Sequence, residues 1–161
     1  FMMMYRKNEA PLEFDVQKVT EQSKDNPVFY VQYAHARISS VINKLNETNM
    51  NIDLTNFDNC NFSLLDKEGE IELIKTLLDW KSVIETAVKL YEPHRISYYL
   101  YDLSSSFHSL WNQGKIDKSD KFIDEERPEI SNARIALLIA TQKTLRSGLS
   151  LIGVSAPDEM Q

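Results

Sequence analysis

Cysteine is almost absent from this chain of 161 residues, which contains only Cys60. A single thiol cannot form an internal disulfide, and with no secretory signal this favours a reducing, cytoplasmic location. Glycine and proline are also scarce, at four and five residues. Their scarcity argues against a β architecture rich in tight turns. With 42% hydrophobic and 26% charged residues, the composition is typical of a soluble globular domain with one core.

Long hydrophobic runs and an excess of basic residues are missing as well. The N-terminal FMMMY is too short for a signal peptide or a membrane span, and we expect it to be the cut end of an element of a longer protein. Lys and Arg number 18 against 24 Asp and Glu, which gives a net charge of −6. Since nucleic-acid binders are usually basic, phosphate contacts should be few. We expect neither a membrane nor DNA as a partner.

The hydrophobic pattern predicts an all-α fold, a bundle of about five helices. Apolar residues recur at three- and four-residue steps rather than alternating, which distinguishes helices from strands. The predicted helices cover residues 15–23, 27–46, 66–91, 93–112 and 131–150. Pro93 and Ser131 mark helix starts, Gly114 and Gly153 mark helix ends, and Asp79 marks a bend. The asparagine-rich and charged stretches between the helices are predicted loops.

The helix predicted after Asn26 carries two different stripes at helical spacing. The core stripe consists of Val31, Ala34, Ile38, Val41 and Leu45. The polar and aromatic stripe consists of Tyr30, Tyr33, Arg37, Ser40 and Lys44. Two aromatic rings one turn apart, followed by a guanidinium, could stack on an unpaired base. The alternative is structural, with both tyrosines covering the core and the arginine in solvent.

Three segments together resemble the C-terminal domain of the arginyl-tRNA synthetases. YVQYAHAR at 30–37 is similar to the family's Tyr-x-Gln-Tyr-Ala-His-x-Arg pattern. EPHRISYYLYDLSSSFHSLWN at 92–112 is similar to its Glu-Pro-His-x-x-x-x-Tyr-Leu-x-x-Leu-x-x-x-Phe-His-x-x-x-Asn segment. NARIALLIATQKTLRSGLSLIGVSAPDEM at 132–160 resembles its last helix and tail, which ends in Gly-Val-x-Ala-Pro-x-x-Met. Three blocks in the family's order form a far more specific signal than one short motif.

The resemblance implies a helical anticodon-binding domain over residues 15–161 and a remnant of the catalytic half over residues 1–14. The parent enzyme of such a domain joins arginine to its tRNA with ATP and Mg²⁺. The chain has no His-Ile-Gly-His-type or Lys-Met-Ser-Lys-type motif and no glycine-rich phosphate loop, so we expect no catalytic residue and no cofactor in it. The implied partners are the anticodon loop of arginine tRNA and the enzyme's own catalytic domain.

The resemblance also implies which residues contact tRNA. Tyr30 and Tyr33 would lie at the pocket for the second anticodon base, cytosine. Met160 would pack into the same pocket, so the C-terminal tail should be docked on the domain. Arg37 is then either solvated or a donor to a phosphate or base edge, and Arg134 either forms a salt bridge or reaches the anticodon stem.

Two other classes of function compete with RNA binding. A helical protein-interaction or scaffold module would fit the acidic charge and the lack of a basic stripe. A hydrolase would need His108 and the serines at 104–106 to form a nucleophilic site, but no Gly-x-Ser-x-Gly elbow is present. The three histidines and Cys60 show no metal-ligand spacing, so no metal site is predicted.

Overall fold

A computed structural model of the protein describes residues 1, 3–5, 21, 25–116 and 121–160. Over these ranges it contains helices and no strand, which confirms the all-α prediction. The α-helices are α1 (Pro27–Leu45), α2 (Glu68–Leu78), α3 (Trp80–Leu90), α4 (His94–Ile116) and α5 (Pro128–Leu151), with a 3₁₀-helix at Phe62–Leu64. The helix predicted over 66–91 is thus two helices that meet at Asp79, and the one predicted over 15–23 lies outside the described residues.

The helix boundaries correct two of the signals read from the sequence. Asn26 caps α1, since its side chain accepts a hydrogen bond from a backbone N–H of the first turn. The last helix begins at Pro128 instead of Ser131, whose hydroxyl bonds both backbone groups of Asp124 and fastens the preceding loop. Gly114 does not end α4, because a glycine inside a helix costs only about 1 kcal/mol and helix packing outweighs it.

The core forms around α4, which packs against each of the other four α-helices. All five residues of the predicted core stripe on α1 are buried. The apolar residues that face them from the other long helices are also buried and include Leu100, Leu103, Phe107, Leu110, Ile135, Leu138, Leu145 and Leu149. Each such side chain contributes about 1.5–3 kcal/mol when removed from water. The helical period therefore predicted the buried face of α1.

Two glycines on and after α5 shape the end of the chain. A Cβ on Gly148 would lie 2.5 Å from Leu100 Cδ2, so this glycine lets α4 and α5 pack closely. Gly153 has a left-handed φ of 72°, and it ends α5 as predicted. The Gly153 N–H bonds the Ser150 carbonyl at 3.1 Å and the Val154 N–H bonds the Leu149 carbonyl at 2.9 Å. This Schellman-type turn redirects the tail after α5.

The α2–α3 pair buries less of its apolar surface than its sequence suggests. Ile71, Leu78 and Val88 belong to the apolar pattern that predicts a helix over residues 66–91, but they are 40%, 74% and 69% exposed. Only Leu73 of α2 and Ala87 of α3 are buried apolar residues. These short helices lie at one side of the bundle, mainly against α4, so one face of each is covered while the other remains in solvent.

Candidate nucleic-acid interface

A groove of about 620 Å³ opens between α1, α4 and the C-terminal tail. We call it the tail groove. Its wall on α1 includes Tyr33 and Arg37, its wall on α4 includes Trp111, and Met160 closes it from the tail. Three of the five predicted contact residues, Tyr33, Arg37 and Met160, are therefore neighbours in space although they come from opposite ends of the sequence.

Arg37 is held between aromatic rings rather than extended into solvent. Its guanidinium carbon lies 4.2 Å from the centroid of the Tyr33 ring and 5.2 Å from that of Trp111. Its Nη2 donates to the Tyr33 hydroxyl at 3.1 Å, and its Nη1 donates to His108 Nδ1 at 3.2 Å. A guanidinium has five N–H donors, and these two bonds use two of them. The side chain is thus oriented with donors left over for a ligand.

His108 orients Arg37 because it is neutral. Its Nδ1 accepts from Arg37, and its Nε2 donates to the Tyr30 carbonyl at 3.3 Å, so both ring nitrogens are satisfied only in the singly protonated form. Burial, reinforced by the Arg37 charge, lowers the pKa of His108 to about 4. The structure does not support the hydrolase alternative, because both nitrogens of the His108 imidazole are engaged in these contacts and neither is available as a general base.

The structure separates the two tyrosines of the predicted stripe. Tyr33 lines the groove and stacks on Phe29, with ring centroids 5.9 Å apart and planes 17° apart. Tyr30 is not among the groove-lining residues; its ring lies against Tyr101 at 5.1 Å and His108 at 4.6 Å. Tyr30 therefore supports the imidazole from behind, while Tyr33 presents its ring to the groove.

The C-terminal tail is docked, as the family resemblance implied, by hydrogen bonds to α1. Gln32 Nε2 donates to the Ser155 carbonyl at 2.9 Å, and His35 Nδ1 donates to the Pro157 carbonyl at 2.8 Å. The Asp158 carboxylate accepts from the Ser39 hydroxyl at 2.9 Å. These bonds bring Met160 to the groove.

A second neutral histidine holds the tail in place. His35 is fully buried, and its Nε2 accepts from Arg146 Nε at 3.3 Å while its Nδ1 serves the tail. Burial lowers the pKa of His35, and the Arg146 charge adds to that effect. Arg146 also donates from Nη2 to Asp158 at 3.0 Å, so one arginine of α5 contacts both the anchoring histidine and the tail. His35 is thus a buried residue that bonds both a neighbouring helix and the C-terminal tail.

Residues 31–160 match the family described as the DALR anticodon binding domain. The chain belongs to the DALR anticodon-binding domain family. It is 49% identical to an arginine–tRNA ligase of Rickettsia akari and 51% identical to one of Beijerinckia indica, covering 99% and 100% of this chain. A solved Thermus thermophilus arginyl-tRNA synthetase is 26% identical with a TM-score of 0.70, over 99% of this chain and 25% of that one. The chain spans 28% of the length of these curated relatives.

Arg134 has a different position in this DALR domain from the one expected of an RNA contact. Its side chain is 2% exposed, and its Nε donates to Glu70 Oε1 at 2.6 Å. Its Nη1 donates to the Lys121 carbonyl at 2.8 Å. Of the two alternatives for Arg134, the salt bridge is the one observed, and the predicted contact with the anticodon stem is corrected. Arg134 belongs to a buried ion pair that joins α2 to α5. Removing either partner alone would leave an uncompensated charge in the interior.

Sequence reasoning missed Trp111 as a residue of the groove in this DALR domain. Trp111 and Lys115 follow His108 at steps of three and four, so all three lie along one stripe of α4. This three- and four-residue spacing is the sequence signal that could have placed Trp111 beside His108. The groove contains three cations, Arg37, Lys44 and Lys115, and the same number of carboxylates, at 47, 158 and 159. Its mixed charge favours recognition of a base over a run of phosphates.

The part of the DALR domain that the structure describes has neither a metal-binding cluster nor a membrane-spanning helix. No group of three His, Cys, Asp or Glu side chains there is arranged to hold a metal ion. Nor does any helix in those ranges combine the length and apolar character needed to span a membrane.

Proposed function

We propose that this chain is the anticodon-binding part of an arginine–tRNA ligase and that the tail groove receives an unpaired base of the anticodon loop of arginine tRNA. The observation that carries the proposal is the orientation of Arg37 between the rings of Tyr33 and Trp111, in a groove that Met160 also lines. Aromatic rings and an arginine plane are the surfaces on which proteins stack unpaired bases, worth about 1–3 kcal/mol per base.

The groove supplies both stacking and polar discrimination. Tyr33 and Trp111 hold the guanidinium plane of Arg37, Met160 offers a flexible apolar side chain, and the remaining N–H groups of Arg37 can donate to a base edge. The second anticodon base, cytosine, is the base we assign to it. A wrong base would leave buried donors or acceptors unpaired at about 1–3 kcal/mol, which is roughly tenfold to a hundredfold in affinity. Tyr30 contributes indirectly, because its ring and its carbonyl hold His108, which in turn orients Arg37.

The parent enzyme is proposed to be cytoplasmic and to attach arginine to tRNA with ATP and Mg²⁺. The residues present do not fit either group, since the chain lacks a glycine-rich phosphate loop and its described residues bring no metal ligands together. ATP and Mg²⁺ would therefore be held by the catalytic half. Residues 1–14 would be the last part of that half and residues 15–161 the recognition domain.

Binding of two tRNA transcripts tests this function. One carries the second anticodon base as C and the other as G, and each is titrated with the chain at several salt concentrations. We expect a preference for C that is lost in Tyr33→Ala. Tyr91→Asn is the matched control, because Tyr91 is 85% exposed outside the groove and asparagine tolerates its left-handed φ of 56°. Equal binding of both transcripts, or an equal loss in Tyr91→Asn, would refute the assigned site. Absence of binding by the folded chain would favour a protein-interaction module instead.

A further inference from the structure

A second cleft, of about 590 Å³, lies between α2, α3 and α4 and shares no lining residue with the tail groove. We call it the acidic cleft. Glu72 of α2, Asp79 at the α2–α3 junction and Asp102 of α4 contribute carboxylates, and Arg95 contributes the one cation among its lining residues. The acidic cleft therefore has the opposite charge from a phosphate site, and nothing in the anticodon-binding function uses it.

The carboxylates at 79 and 102 lack a counter-charge within the described residues. Arg95 is already bonded to Glu92, with Nε and Oε2 2.5 Å apart, and Lys75 lies 3.9 Å from Glu72. Neither Asp79 nor Asp102 forms an ion pair with any residue of the described ranges. Partial burial raises the pKa of Asp102, as expected for a carboxylate that loses water without gaining a cation. A positively charged ligand would supply the counter-charge that Asp79 and Asp102 lack.

A buried hydroxyl in the same cleft also lacks a partner. Tyr99 is 6% exposed, lines the cleft and stacks on Trp80, yet its hydroxyl makes no hydrogen bond within the described residues. Burial raises its pKa, and the charge of Asp79 raises it further. Most buried polar atoms in proteins are satisfied, so this one points to a ligand group absent from the chain itself.

We propose that the acidic cleft binds primary alkyl-ammonium groups, as found at the ends of a linear aliphatic polyamine. An ammonium is compact and donates three hydrogen bonds, and the acceptors we assign to it are Asp79, Asp102 and the Tyr99 hydroxyl, all of which line the cleft. The methylene chain would lie along Val83 and the Tyr98 ring, which also attracts cations. A guanidinium is less suited, because its planar fork prefers one carboxylate in bidentate contact. Free polyamines and lysine side chains share this chemistry, and the experiment separates them.

Calorimetric titration of the 161-residue chain with spermidine tests the proposal. At about 150 mM salt, exposed charges further apart than about 8 Å are screened, so general attraction to an acidic protein is weak. We expect saturable binding at one site per chain. Asp102→Asn should weaken it about tenfold because the negative charge is lost, and Tyr99→Phe should also weaken it because an acceptor is lost. Glu85→Gln is the matched control, because this exposed carboxylate of α3 lies outside the cleft.

A trilysine peptide, titrated in parallel, distinguishes the two sources of the ammonium group. Spermidine binding that is tighter than peptide binding assigns the cleft to a free polyamine, and the reverse order assigns it to a lysine of another chain. Circular dichroism of each variant checks that the fold is retained. Non-saturable heats with both ligands, or an equal weakening in Glu85→Gln, would overturn the proposal, because either result means diffuse attraction without a built site.

Discussion

Replacing Arg37 with lysine keeps the positive charge of the tail groove but removes the planar fork. The change deletes the bonds to Tyr33 and His108, each worth about 1 kcal/mol net, and the stacking on Tyr33, worth about 0.5–1 kcal/mol. The lysine side chain, which lacks these bonds, must then be ordered when RNA binds, and this costs about 0.5–1.5 kcal/mol in conformational entropy. We expect Arg37→Lys to weaken binding of the C-containing anticodon stem-loop roughly tenfold and to reduce its preference over the G-containing one.

Fluorescence anisotropy over a salt series measures this effect. The slope of log affinity against log salt should stay unchanged in Arg37→Lys, because the number of cations near the RNA is the same. Arg95→Lys is the matched control, since Arg95 pairs with Glu92 outside the groove. If Arg37→Lys bound the C-containing loop as tightly as the unchanged chain, Arg37 would be a simple point charge, and the reasoning from its geometry would be refuted.

Three predictions concern stability. Arg134→Met should lower the free energy of unfolding in urea by about 3–5 kcal/mol, because it leaves Glu70 charged in the interior. Adding Glu70→Leu should restore most of the lost stability. A double variant as unstable as the single one would contradict the ion-pair explanation. Gly148→Ala should lower the free energy of unfolding by about 1–3 kcal/mol, because the added Cβ clashes with Leu100. An unchanged unfolding midpoint would mean that α4 and α5 move apart at no cost, and would contradict the close packing. The depressed pKa of His108, about 4 against 6.5, means that the unfolded chain binds the proton more readily, so stability should fall by up to roughly 3 kcal/mol as pH drops from 6.5 to 4. Melting scans over that range should be flatter in His108→Asn.

Helical periodicity predicted the parts of the fold that depend on local pattern. Val31, Ala34 and Ile38 are all fully buried, because a three- and four-residue repeat places them on one face whatever that face packs against. The same pattern failed for Ile71 and Leu78. Whether the second apolar face of a short helix is covered depends on the neighbours available to it, and those are set by the tertiary arrangement.

Long-range pairing explains the errors at the candidate site. Arg134 pairs with Glu70, which is 64 residues away in the sequence, and no local pattern around either residue predicts that contact. Trp111 joins Tyr33 and Arg37 only because α1 and α4 pack side by side. The docking of Met160, by contrast, was predicted through the resemblance of the whole tail to that of a known family.

The central claim is that an anticodon base enters the groove beside Trp111, and the chain has a second tryptophan, Trp80, that serves as an internal reference. Trp80 stacks on Tyr99, away from the tail groove. We would label both with 5-fluorotryptophan and follow their two ¹⁹F resonances during titration with the C-containing anticodon stem-loop. The account predicts a large shift at Trp111 and none at Trp80. Saturating RNA that leaves Trp111 unchanged, or that shifts Trp80 instead, would contradict it.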